Sequence, residues 1–386
     1  MITEIKKTFF TSVLILAIIA LIFFTTASFL NKKSDKSDNS AIIDNFATTD
    51  NPDTTDVADI ADVTVVLDNL EIPWDIVFLS DSKILVTERV GQITYFDFDT
   101  DERRKINISS ESEHRGEGGL LGITLHPDFE KNSYIYFYLT QRASIGLVNR
   151  VERYTWQNTS LINQKTIISN IPGAAIHDGG RISFGPDGFL YITTGDASVP
   201  SLSQNTSNLA GSILRITDDG GIPTDNPFGN EIYSFGHRNP QGIAWDDRGF
   251  LWATEHGPSA YDEINLIKKG ANYGWPNSVG DRVESNTTAP ILHSGNNTWA
   301  PSGAVYWDGS IFFVGLRGSA IYEAVLDGEN VLELKEYYKN EFGRLRSISL
   351  GPDGMFYITT NNKDGRGNIR SGDDKIIRLN PNQFRI

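Results

Sequence analysis

From Val63 onward, apolar residues come in short runs separated by polar turns. One run ends, a turn carries Asp or Gly, and a second run follows. The pairs are Val77–Asp81 with Ile84–Thr87, Leu125–Asp128 with Tyr134–Leu139, and Phe184–Gly188 with Phe189–Thr194. They continue with Ile243–Asp247 and Phe250–Thr254, Ala304–Gly309 and Ile311–Val314, and Leu350–Gly354 and Met355–Thr360. Runs of this length bounded by turn residues predict strands, and each pair predicts a hairpin. The pair occurs six times at intervals of roughly 45 to 60 residues, the period of a four-stranded propeller blade. Helical periodicity is nearly absent beyond residue 62. The pattern predicts an all-β fold, a six-bladed β-propeller over residues 63–386. A pair of β-sandwiches would not require one motif six times. Lys375–Leu379 is expected to close the ring against a strand near Val63–Leu67.

The N-terminus follows another pattern. Lys6 and Lys7 precede an apolar run from Phe9 to Leu30, broken only by Thr and Ser. That is the length of a bilayer span. Residues 1–30 are therefore expected to form an uncleaved signal anchor. The alternative is a signal peptide cleaved near Thr25-Thr-Ala-Ser28. Either exports the body, which would sit at the cell surface on its N-terminal helix, or be secreted or periplasmic after cleavage. Residues 31–62 are polar, rich in Ser, Thr and Asp, and read as a flexible tether. Sequons at Asn107, Asn158, Asn205, Asn286 and Asn296 permit glycosylation of an exported chain.

Charge and composition narrow the partners. The net charge of −15 over 386 residues argues against nucleic acid or an anionic membrane surface. The absence of cysteine excludes disulfides, thiolate metal sites and a cysteine nucleophile.

Polar clusters stand just before the repeated strands, where a propeller places its axial loops. His177, Asp178 and Arg181 precede Ile182–Phe184, Arg238 and Asn239 precede Ile243, and Arg344 and Arg346 precede Ile348–Leu350. The i, i+2 spacing of Arg344 and Arg346 would put both guanidiniums on one face of a strand. With Arg238 and Arg317 they would suit a ligand bearing several carboxylates; surface salt bridging is the alternative for any one of them. His177, beside paired glycines, has the pKa range of a general base, although a lone histidine is often structural. Gly257-Pro258, with Asp262 and Glu263 just beyond, suits a hard cation such as Ca²⁺, against an ordinary acidic loop.

These motifs together resemble the soluble quinoprotein glucose and aldose sugar dehydrogenases, the glucose/sorbosone dehydrogenase family. The matching segments are Gly116-Glu-Gly-Gly-Leu-Leu-Gly122, His126-Pro-Asp-Phe129, His177-Asp-Gly-Gly-Arg181, Gly185-Pro-Asp-Gly188 and Gly236-His-Arg-Asn-Pro-Gln-Gly242. Gly257-Pro258, Asp262-Glu-Ile-Asn265, Asn272-Tyr-Gly-Trp-Pro276, Ala300-Pro-Ser302 and Arg344-Leu-Arg346 complete the set. The resemblance implies a six-bladed propeller holding pyrroloquinoline quinone (PQQ) with Ca²⁺. It implies that His177 takes the proton of the sugar's C1 hydroxyl while hydride passes to the quinone. Arg238 and Asn239 match residues at the quinone oxygens, and Arg344 and Arg346 match arginines around cofactor and substrate. Gly257 and Pro258 match carbonyl ligands of an activating Ca²⁺, and Glu263 and Tyr273 match ligands of a structural Ca²⁺. Arg317 stands where the family often has Lys under the cofactor, and Thr298 matches a ring-contacting threonine. Glu117 stands where many members carry Gln; a carboxylate there would raise the pKa of His177 or be protonated itself.

The expected function is a PQQ-dependent sugar dehydrogenase that oxidises the C1 hydroxyl of aldoses to lactones. Electrons would go to a soluble or membrane acceptor. Two other readings compete: a non-catalytic, surface-displayed propeller that binds protein or glycan, and a Ca²⁺-dependent hydrolase of lactonase type.

Overall fold

The computed structural model describes residues 62–385. Six four-stranded antiparallel sheets form the blades of a propeller. Among the described residues helix is confined to one turn at Phe129–Asn132 and two 3-10 segments. The first strand of each blade lies innermost. These strands are β2 (Pro73–Ser80), β6 (Leu120–Leu125), β10 (Ile182–Phe184), β14 (Pro240–Trp245), β18 (Pro301–Trp307) and β22 (Leu345–Leu350). The sixth blade is completed from both chain ends. β1 (Val63–Leu67) pairs outside β24 (Ile376–Leu379), Val63 opposite Leu379 and Leu67 opposite Ile376, as the sequence predicted. The signal or membrane segment expected over 1–30, and the expected tether up to residue 61, lie outside the described residues. Among the described residues no helix is long and apolar enough to cross a membrane.

Burial explains the sequence pattern. Second strands such as Leu190–Thr194, Leu251–Glu255 and Phe356–Thr360 are buried throughout, because both faces meet neighbouring blades. Outermost strands such as Glu102–Ile106 and Asn330–Tyr337 carry charged residues and are exposed or only partly buried along most of their length. Six apolar clusters fill the six gaps between blades. The recurrent turn Asp also has a task. Asp187 accepts from Arg215 Nε at 2.9 Å and Tyr191 Oη at 3.0 Å. Asp353 repeats this with Arg378 Nε at 2.7 Å and Tyr357 Oη at 3.0 Å. Each carboxylate ties its turn to the third strand of the blade.

The centre is polar. Five of the six innermost strands are bulged near their start: β2 between Pro73 and Asp75, β6 between Leu120 and Ile123, β14 between Pro240 and Gly242, β18 between Pro301 and Ala304, and β22 between Leu345 and Ser347. A bulge inserts a residue and re-aims its side chain. Here the bulges hold Trp74, Gln241, Ser302 and Arg346. The Arg346 guanidinium donates to Gln241 Oε1 and to Ser302 Oγ, and lies 5.6 Å from the Trp74 ring. Deeper, Arg181 pairs with Asp75 at 2.5 Å and donates to the Gln241 carbonyl at 3.1 Å. Asp75 also accepts from Ser347 Oγ at 2.9 Å and the Ile123 N–H at 3.3 Å.

Asp75 and Arg181 are both buried. Replacing one partner of such a pair leaves the other charge uncompensated, at a cost of about 3–5 kcal/mol. Asp75→Ala is expected to lower the melting temperature by roughly 5–10 °C, measured by scanning calorimetry, whereas Glu102→Ala on the outermost strand of the first blade, where the acid makes only an exposed pair with Arg104, should move it far less.

Candidate functional site

All of the candidate residues gather at one end of the propeller. There the first strands begin and the second strands finish. His177 sits on the Ala174–Asp178 loop ahead of β10 with φ at +65°, a conformation non-glycine residues rarely adopt. Two glycines make room for it. A Cβ at Gly195 would lie 1.9 Å from the His177 carbonyl oxygen, and one at Gly179 would lie 2.5 Å from the Thr193 carbonyl oxygen.

The imidazole is held at both nitrogens. Nδ1 lies 2.8 Å from Asp196 Oδ1, and Nε2 accepts from Arg238 Nη2 at 2.9 Å. A carboxylate only accepts and a guanidinium only donates, so Nδ1 carries the proton and Nε2 presents a lone pair. Asp196 is fully buried and also accepts from Trp275 Nε1 at 2.8 Å and from the Ser198 N–H at 2.8 Å. The Arg238 guanidinium stands 5.3 Å from the Trp275 ring centre and donates to the His256 carbonyl at 3.3 Å.

Several polar groups here have no partner. Asn239 is completely buried, and its Oδ1 accepts the Gly179 N–H at 3.0 Å while Nδ2 bonds to nothing. Arg238 Nε is likewise a buried donor without a partner, and His256 Nε2, donor or acceptor according to its tautomer, is buried and unpartnered beside it. Unmade hydrogen bonds at buried groups are costly, so three in one place mark a surface shaped for a polar ligand. Burial pushes the His256 imidazole well below its usual range, so it stays neutral near pH 7.

The arginines converge, though not as their spacing predicted. Arg344 precedes β22 and Arg346 occupies the bulge, so the one-face relation fails. Arg346 points to the axis; burial, with Arg89 nearby, pushes it down to about 9, still cationic at neutral pH. Arg344 forks onto Asp364 Oδ2 through Nε at 3.0 Å and Nη2 at 2.7 Å. Arg317, Arg344, Arg366 and Arg370 line a cavity of about 320 Å³. Arg317 also borders a second cavity of about 550 Å³ with Thr298. The Thr298 hydroxyl donates to Asp262 Oδ2 at 2.8 Å.

Glu117 departs from the expectation of a protonated acid. Burial pushes its carboxyl up, but the Arg366 guanidinium and the His177 N–H outweigh that and hold it at about 2. It is a carboxylate throughout the physiological range.

The cation candidates resolve into two kinds. Gly257 and Pro258 border a small cavity with Glu255, Glu263 and Tyr273. Neither the Gly257 nor the Pro258 carbonyl accepts a backbone hydrogen bond among the described residues. Burial, with the charge of Glu255, pushes the Glu263 carboxyl up, although Asn265 Nδ2 donates to its Oε2 at 3.1 Å. Asp262 does not belong to such a set. Its Oδ1 accepts the Gly257 N–H and its Oδ2 accepts the N–H groups of Trp299 and Ala300. Tyr273 contributes no free hydroxyl, since Oη donates to the Leu266 carbonyl at 2.6 Å and accepts the Lys268 N–H. Only its main-chain carbonyl is left for a cation. No group of three metal-ligating acidic, His or Cys side chains occurs among the described residues.

Sequence reasoning missed Asp196, Asp364, Arg366 and Arg89, and gave His256 and Trp275 no role of their own. One signal was available. In five of the six blades a polar residue stands one or two positions after the second strand, at this end: Arg89, Asp196, His256, Arg317 and Asn361.

Fold and site together define a six-bladed propeller with a basic, donor-rich pocket at one end of its axis. The glucose/sorbosone dehydrogenase family profile matches residues 70–377, and the chain belongs to that family. It is 29% identical to the aldose sugar dehydrogenase YliI of Escherichia coli, over 78% of this chain and 90% of that protein. It is 35% identical to quinoprotein glucose dehydrogenase B of Acinetobacter calcoaceticus, over 57% of this chain and 53% of that protein. The PQQ-bound aldose sugar dehydrogenase of Streptomyces coelicolor superposes with a TM-score of 0.78 at 37% identity, covering 82% of this chain and 97% of that one.

Asp178 adjoins the site. Its Oδ1 accepts Asn149 Nδ2 at 2.9 Å and the Ala174 N–H at 3.0 Å, while Oδ2 is buried and unpartnered. Burial pushes its carboxyl from 3.8 up to about 6. Between those values the folded chain keeps a proton that the unfolded chain has released. Stability from this group is therefore lost as pH rises from about 4 to about 6. The melting temperature of Asp178→Asn, relative to the wild type, is expected to rise over that window and then level off, measured by thermal melts from pH 3.5 to 8.

Proposed function

We propose that this protein is a PQQ-dependent aldose sugar dehydrogenase that oxidises the C1 hydroxyl of aldoses to lactones. The observation that carries the reading is the His177–Asp196–Arg238 constellation, set beside two buried donors without acceptors, Asn239 Nδ2 and Arg238 Nε. The donor set suits a quinone: Asn239 and Arg238 would hold its oxygens. Arg344 and Arg346, with Arg317 and Thr298 at the rim, would hold its carboxylates and ring. Glu117 anchors the base loop beside them. The chemistry supplied by the bound cofactor is acceptance of a hydride from the sugar carbon.

The chain's own part is acid–base and electrostatic. Once Arg238 Nη2 turns from His177 Nε2 to the quinone oxygen it would hold, Nε2 is free to take the C1 hydroxyl proton. Asp196, fixed by Trp275 and the Ser198 N–H, keeps the imidazole in the tautomer that can do so and stabilises the imidazolium that forms. Arg238 places positive charge next to the acceptor side, where negative charge develops. The Gly257 and Pro258 carbonyls suit a Ca²⁺ at the cofactor, and Glu263 with the Tyr273 carbonyl suits a second, structural Ca²⁺. The lactonase reading would need free side-chain oxygens on the axis, but Asp75 there is committed to Arg181 and Ser347. Export on an anchor at residues 1–30 would place the reaction at the cell surface, with a soluble or membrane electron acceptor.

The test is dye reduction by the purified chain with PQQ, Ca²⁺ and a panel of aldoses. Wild type is expected to be active. His177→Ala should lose about 10²–10⁴-fold in kcat with its melting temperature retained. Undiminished dye reduction in that variant removes His177 as the base. Stripping Ca²⁺ with a chelator is expected to abolish activity, and adding Ca²⁺ back to restore it; full activity after stripping would dismiss the cation. Hydrolysis of lactones without PQQ would favour the hydrolase.

A further inference from the structure

The His177 loop is strained, and one residue braces it from across a blade boundary. Glu117 donates its own N–H to the Ala175 carbonyl at 2.8 Å and accepts the His177 N–H at Oε2 at 3.0 Å. The same carboxylate reaches the other way. Its Oε1 accepts Arg366 Nη1 at 2.7 Å, a contact between residues 249 apart in sequence. Arg366 sits on the loop between Phe356–Thr360 and β24, and its N–H donates to Asp364 Oδ1 at 2.9 Å. Asp364 in turn holds Arg344 through Oδ2. That loop lies hard against Arg344: a Cβ at Gly367 would come within 2.9 Å of Arg344 Cδ. A continuous chain of bonds thus runs His177–Glu117–Arg366–Asp364–Arg344, from the second and third blades to the sixth, along the rim of the pocket.

We propose that Arg366 is a positioning residue: through Glu117 it fixes the register of the His177 loop relative to Arg344, so that base and arginine keep one spacing. The inference rests on the function proposed above for its catalytic consequence, but the mechanical coupling stands apart from it. The physical reason is directional. A neutral amide at position 117 could still accept the His177 N–H, but only a carboxylate also takes a charge-assisted bond from a guanidinium. Half of the Arg366 side chain is exposed, so salt and water weaken the pair without abolishing it.

The experiment compares wild type, Arg366→Met, Arg366→Lys, Glu117→Gln and the double variant Glu117→Gln/Arg366→Met, all in the full chain. The first readout needs no cofactor: hydrogen–deuterium exchange of the peptide spanning residues 174–180. Arg366→Met is expected to speed that exchange about fivefold, with Arg366→Lys restoring most of the protection. Glu117→Gln should add little when Arg366 is already Met, because both changes break the same link. The second readout is turnover with PQQ, Ca²⁺ and glucose, where Arg366→Met should lower kcat by a similar factor and leave KM near the wild-type value. Unchanged exchange and unchanged kcat in Arg366→Met overturn the proposal. So does a raised KM with kcat intact, which would make Arg366 a ligand contact instead. If wild type shows no turnover, the dehydrogenase reading fails, and the exchange result alone decides the coupling.

Discussion

The structure depends on one buried ion pair. Arg181 of the third blade and Asp75 of the first meet at the axis, and Ser347, Gln241 and the Ile123 N–H close around them. A propeller has no single apolar centre, because its hydrophobic clusters lie between blades. This small polar knot ties five of the six blades together at the axis. Bulges make it possible: in regular strands, side chains at the start of β14, β18 and β22 would alternate away from the axis. The extra residue turns Gln241, Ser302 and Arg346 inward.

The pocket follows from the same construction. Strand starts and strand ends from all six blades meet at one end, so residues remote in sequence become neighbours. The knot occupies the depth of the axis and leaves the mouth to groups with spare hydrogen-bonding capacity. Asn239, Arg238 and His256 pay for that with unsatisfied polar groups, and His177 with a left-handed backbone. Such costs persist at sites where a ligand repays them. The proposed cation sites would draw on main-chain carbonyls and on one side-chain carboxylate, Glu263. Asp262, the other acid beside Gly257-Pro258, instead braces the Gly257 loop and the segment ahead of β18.

The sequence showed the blades plainly, because each hairpin turn needs an Asp or Gly at a fixed place and the outermost strand must balance the ring. It showed His177, Arg238 and Asn239 as loop residues ahead of strands. It could not show the bulges, since one inserted residue leaves no mark in an apolar run; hence Arg344 and Arg346 were read as sharing a face. Asp196 and Arg366 were invisible for another reason. Asp196 is a lone charge in a polar loop and Arg366 is one charge among several in its own, and only the folded ring reveals that one faces His177 and the other Glu117. Thr298, read as touching the cofactor ring, spends its hydroxyl on Asp262.

The closing strand gives the molecule a polarity. β1 lies at the periphery of the sixth blade and runs antiparallel to β24, with Val63 opposite Leu379. The Leu379 end of β24 is remote from Asp374 and Thr360, which flank the pocket end. The polypeptide therefore enters the ring from the underside and at its outer margin.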